Sequence, residues 1–199
     1  MKLQPDAVVW VFDGRDGVRA MLADLVGGYR NSLQDLLPPS AVDSFDDPFQ
    51  AMAADEQFRA LNHVEGYRLQ RLFPKPLTEE ESDDEVWEGM VRGRAATLHA
   101  HATTVLTELA DDGDLVPVLE MSVTPWLQTL GALRTSLHAE LAQSSKPDAE
   151  PSAEQVEAYP ALAAVLDWLA YNIEDLLETR SICLAAGAGL DVSERGEWE

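Results

Sequence analysis

The sequence predicts an all-α fold, an irregular bundle of about five helices, joined by a short two-stranded β ribbon at residues 7–12 and 116–121. Three observations point there. Leucine and tryptophan recur at spacings of three and four along most of the chain, prolines and capping residues punctuate those stretches, and only two runs have strand character.

The elements follow in order. AVVWVF at residues 7–12 closes on Asp13-Gly14 and reads as a strand. Its expected partner is VPVLEM at 116–121, where Pro117 cannot donate a ladder hydrogen bond and is confined to an edge or a bulge. Asp16 is the expected N-cap of a first helix whose face is Val18, Leu22, Leu25, Tyr29, Leu33 and Leu36, ended by Pro38-Pro39. Within it, Gly27 and Gly28 each cost about 1 kcal/mol relative to alanine, which predicts a close approach or a bend. Asp47-Pro48 opens a second helical stretch through Phe49, Met52, Phe58, Leu61, Leu69 and Leu72 to Pro74, with a break at Gly66.

Thr78 and Glu81 have capping-box spacing, and the acidic run to Glu85 suits the positive end of a helix dipole. The long helix that follows has the face Trp87, Val91, Leu98, Ala102, Val105 and Leu109, and stops at Asp111-Asp112-Gly113-Asp114. Thr124-Pro125 starts the next, with Trp126, Leu130, Leu133, Leu137 and Leu141 as its stripe. After a polar linker at 142–151, Ser152 and Gln155 cap a short turn, and Pro160 restarts a helix with Leu162, Leu166, Leu169, Ile173 and Leu176 inward. The expectation is one helical domain over residues 1–184 and a frayed acidic tail over 185–199.

Charge narrows the function classes. Fourteen Lys and Arg against 36 Asp and Glu leave a formal charge of −22, a field that repels phosphate backbones and anionic lipid surfaces. Nucleic acid and membrane partners are therefore excluded, and a helix-turn-helix regulator falls with them because no helix is basic along one face. A protein partner is expected, and leucine stripes left over on one face would allow a homodimer. The single cysteine, Cys183, can form no internal disulfide, and the N-terminal apolar run is only six residues long. Both fit a cytoplasmic protein.

Catalytic and metal chemistry find little support. His99 and His101 lie two apart on one helix, about 160° around its axis, so they cannot chelate together. A calcium loop starting at Asp111 would need its twelfth ligand at position 122, which is Ser122. No nucleophile elbow, phosphate loop, dinucleotide fingerprint or HExxH helix occurs, so no cofactor, metal or catalytic residue is assigned. One feature departs from the acidic background. Arg59, Arg68, Arg71 and Lys75 fall within 17 residues holding a single acid, Glu65, and Arg92 and Arg94 follow on the next helix. Such arginines either pair with the surplus carboxylates or line an anion pocket.

Several of these segments occur together in a known order: Asp46-Asp47-Pro48 with Phe58-Arg59-Ala60-Leu61 and Arg68, then Trp126-Leu127 with Leu130 and Leu133-Arg134, then Leu166-Asp167-Trp168-Leu169. Over residues 7–180 the chain resembles an uncharacterised actinobacterial family catalogued as domain of unknown function twenty-seventeen. The resemblance implies a helical cytoplasmic protein often encoded beside the Clp protease adaptor, hence a link to Clp-type proteolysis. It brings no activity. It marks Arg59, Arg68 and Arg134 as the polar members of the family's motifs.

Two readings follow. The leading one is a non-enzymatic interaction or regulatory protein, because the chain offers well-marked helical faces and no catalytic constellation. The alternative is a small-molecule or anion-binding protein, enzyme or not, whose pocket gathers Arg59, Arg68, Arg71 and Arg134.

Overall fold

The expected helical stripes and paired strands appear in a computed structural model, which describes residues 2–37, 66–75, 81–111 and 113–190. Two strands, β1 (Val8–Asp13) and β2 (Leu115–Leu119), form an antiparallel ribbon. Six helices of six or more residues accompany them among the described residues: α1 (Val18–Gln34), α2 (Tyr67–Leu72), α3 (Glu81–Leu109), α4 (Val123–Ala142), α5 (Ala153–Ala158) and α6 (Pro160–Ala186). This is the mostly helical fold with a small ribbon that the periodicity predicts.

In the ribbon, Val11 faces Pro117. The Gly14 N–H bonds the Asp114 carbonyl at 2.7 Å, so by antiparallel alternation the bonded pairs are 14 with 114, 12 with 116 and 10 with 118. Pro117 therefore falls at a position where no N–H is required by β1. Between Val8 and Trp10 the register slips, and β1 carries one residue more than β2. That bulge explains why the consecutive residues Val9 and Trp10 are both buried, against the strict alternation of a flat strand.

Helix α4 is central: α2, α3 and α6 all pack on it, and α1 packs on α3. Its predicted stripe, Trp126, Leu130, Leu133, Leu137 and Leu141, is wholly buried. Small side chains flank that stripe at Thr129, Ala132, Ser136 and Ala139, and these are buried too. A helix contacted on several sides needs exactly such short neighbours beside its large ones, because bulky flanks would hold the packed helices apart. Helix α3 has a narrower seam, Trp87, Val91, Ala95, Leu98, Ala102, Val105 and Leu109, every member buried.

Three boundaries and one helix interior differ from the sequence expectation. Asp16 does not cap α1: it adopts φ 55°, and Gly17, at φ 81°, is the N-cap. The strand-to-helix turn needs two successive left-handed residues, which displaces the helix start by one position. Thr124 does not cap α4 either, since a 3-10 turn at Glu120–Ser122 brings Ser122 to that position. Gly27 and Gly28 sit inside an unbroken α1, and a Cβ at either would meet nothing within 4 Å, so no close approach accounts for them. At the other end α6 runs on to Ala186, and the Leu190 N–H bonds the Val8 carbonyl at 2.7 Å, tying the chain to β1. By contrast Ser152 and Gln155 form the expected reciprocal capping box, and Pro160 opens α6. The Pro38-Pro39 stop, the 49–65 stretch and Thr78 lie outside the described residues.

Among the described residues no helix is long and apolar enough to cross a membrane.

Candidate functional site

Three clefts differ in the charges that line them. The widest, about 410 Å³, is lined by Gly14, Gly17, Arg19, Gly113 and Asp114 among others. Its arginine donates to the Gly113 carbonyl, and Asp114 brings a carboxylate, so it presents no uncommitted cation. The second, about 140 Å³, lies between α1, α2 and α4, with Tyr29, Ser32, Arg68 and Ser136 in its wall. Arg68 is bonded there to Glu140 at 2.8 Å, and both side chains are half exposed. The surplus carboxylate has neutralised it.

The third cleft differs. About 250 Å³ in volume, it lies between α2, α3 and α4 and is lined by Arg71 and Leu72, by Arg94 and Leu98, and by Leu127, Gln128, Gly131, Ala132 and Thr135. Two arginines from two different helices line it, and no described lining residue is acidic. Arg71 Nη1 is buried and has no hydrogen-bond partner among the described residues. A buried donor left unmade costs about 1–3 kcal/mol, and more when charged.

Local sequence explains how the site is built. Gly66, at φ 85°, turns the chain into the six-residue α2, whose Leu72 is buried; Leu69 packs against the core beside it. Arg68 with Leu69 lines the second cleft, and Arg71 with Leu72 lines the third. On α4, Gly131 and Ala132 keep the floor low, while Thr135 donates its hydroxyl hydrogen to the Gly131 carbonyl at 2.8 Å. On α3, Arg94 is exposed at the cleft, and its charge reaches Tyr29. Burial pushes the Tyr29 hydroxyl well above the ordinary tyrosine range, and the Arg94 charge opposes that rise. The Tyr29 hydroxyl is likewise buried without a partner among the described residues.

The four arginines singled out by sequence are thus distributed. Arg59 lies outside the described residues. Arg68 and Arg71 line separate clefts, and Arg134 is exposed on α4 and lines neither. Arg94, noticed in the sequence as a neighbour in the chain, is the one that joins Arg71. Lys75 lies over the Trp87 ring at 5.1 Å, and Arg92 approaches Glu88 at 3.8 Å. Gln128 and Thr135 had no sequence signal, since they stand off the leucine stripe of α4 among ordinary polar residues.

Among the described residues no three His, Cys, Asp or Glu side chains are placed to hold a metal ion. His99 and His101 are both half-buried. Burial, aided by the Arg30 charge, holds His99 below the ordinary histidine range.

Comparison with known proteins finds that the model of the family described as Domain of unknown function (DUF2017) matches residues 1–180. No curated protein and no solved structure matches the chain.

Proposed function

The chain belongs to this family of unknown function, and from its own geometry we propose that it is a binding protein whose cleft between α2, α3 and α4 holds an anionic group. One observation carries the reading: Arg71, whose Nη1 is buried without a partner among the described residues, lines together with Arg94 a cleft that has no described carboxylate. An anion with two oxygens would bring a counter-charge and hydrogen-bond acceptors to the two arginines. The described lining offers donors and apolar surface but no group suited to take or deliver a proton at neutral pH, which supports binding rather than catalysis. A regulatory or interaction role follows naturally for such a protein. Clp-type proteolysis, implied by the family resemblance, is one setting for it.

The test is thermal denaturation of the full chain in rising concentrations of phosphate and of acetate, beside the variant Arg71→Leu. A ligand that binds only the folded state raises the midpoint as it saturates. The expected result is a rise for at least one anion that Arg71→Leu abolishes. Equal midpoint shifts in both proteins, or none in either, would overturn the proposal.

A further inference from the structure

We infer that the anion this cleft takes is the C-terminal carboxylate of a polypeptide. The inference rests on the reading of the cleft as an anion site and goes beyond it by naming the ligand's chemistry.

The first ground is what surrounds the charges. Leu72, Leu98 and Leu127 line the cleft beside the two arginines. A free phosphate placed there would turn part of its oxygen surface against leucine and lose hydration without compensation. A carboxylate at the end of an apolar body puts its charge on the guanidinium groups and its carbon on the leucines.

The second ground is the direction of the remaining hydrogen bonds. Because the Thr135 hydroxyl hydrogen is committed to the Gly131 carbonyl, its oxygen meets a ligand as an acceptor. The Gln128 side-chain amide, also in the lining, can accept through its oxygen as well as donate through its nitrogen. Acceptors repel a deprotonated phosphate oxygen, whereas they match the backbone N–H that precedes a terminal carboxylate. Helix α4 meets the cleft along its middle, at residues 127–135, where backbone N–H groups are bonded within the helix. The N-terminal amides that commonly cradle phosphate are therefore not presented by it.

Size and field complete the case. A cleft of about 250 Å³ is smaller than the ~300–1,000 Å³ usual for whole small-molecule ligands, and suits the end of a longer chain. The overall charge of −22 repels acidic chains at long range, so the best partner carries basic residues upstream of its carboxylate.

The experiment is calorimetric titration of the full chain with four probes: acetyl-Lys-Lys-Ala-Leu as the free acid, the same peptide as its C-terminal amide, acetyl-leucine, and inorganic phosphate. The free acid should bind at least tenfold more tightly than the amide, although the amide is the more positive peptide and a purely long-range attraction to the acidic surface would favour it. Arg71→Leu should remove that difference. Thr135→Val, which keeps the side chain's shape, should weaken the free acid several-fold and leave phosphate unaffected. Equal binding of acid and amide overturns the inference. Phosphate binding without peptide binding overturns it and leaves the anion site standing, while silence from all four probes removes both. Acetyl-leucine binding as tightly as the peptide would replace the polypeptide by a small N-acyl amino acid.

Discussion

The start of α4 and its middle, where the cleft lies, differ in how the indole and guanidinium donors packed there are answered. Near its start, Trp126 packs edge-on to Trp10 at 5.5 Å, with Phe12 and Trp168 completing an aromatic cluster. The indole nitrogens of that pair are both answered by carboxylates: Trp126 Nε1 donates to Glu108 at 2.6 Å and Trp10 Nε1 to Asp175 at 2.6 Å. Glu108 also accepts from Ser122 at 2.5 Å. Farther along, where α2 and α3 approach, Arg71 Nη1 and the Tyr29 hydroxyl are buried with no partner among the described residues. A satisfied network fixes the core, whereas an unsatisfied donor lowers stability and keeps its bonding capacity for something else. The carboxylates of this acidic chain were abundant enough to answer every cation. They answer Arg68 and Arg180, and no described one answers Arg71.

Breaking the satisfied region should give the largest effect. Trp126→Ala removes the largest fully buried side chain and should lower stability by about 3–5 kcal/mol in urea denaturation. Glu108→Ala leaves the indole of Trp126 and the hydroxyl of Ser122 without their acceptor, and should cost about 1–3 kcal/mol by the same measurement. In the unsatisfied region the sign should reverse. Arg71→Leu deletes a buried unpaired donor and should raise stability by about 1 kcal/mol while abolishing anion binding. A loss of stability comparable to that of Glu108→Ala would show that the two regions do not differ in this respect.

The smallest effect concerns an ion pair outside both regions. Arg180 donates two hydrogen bonds to Glu120, at 2.8 and 2.5 Å. Those bonds first, and the arginine's charge after them, hold the Glu120 carboxyl below its ordinary value of 4.5 despite some burial. Since the folded value is the lower one, the stabilisation is complete above the unfolded value and is lost as pH falls through the folded value. Glu120→Gln should therefore cost up to about 1 kcal/mol at pH 7, and the difference from wild type should shrink toward zero on acidification below pH 4. A difference independent of pH would mean that the pair acts through packing alone.

Much of the fold was legible because burial on a helix recurs every three to four residues. Trp87, Val91, Leu98, Ala102, Val105 and Leu109 were readable as one seam, and so was the α4 stripe, since only packing requires those spacings. The Ser152 and Gln155 box was readable because both of its bonds are local. Asp16 and Thr124 misled because each has a good capping side chain at a place where a tight turn, set by the approach of strand and helix, moved the boundary. Of the two arginines that line the cleft, one was legible. Arg71 stood out against an acidic background, but its partner Arg94 belongs to another helix.

Sequence alone determined the helical class, the ribbon, the seams of α3 and α4 and the charge that disfavours polyanions, because each depends on composition or on the period of one element. Tertiary structure decided which arginines meet carboxylates and which do not. That outcome depends on the relative placement of α2, α3 and α4, and hydrogen bonds between helices act over about 3 Å, a precision that spacing along a chain does not carry.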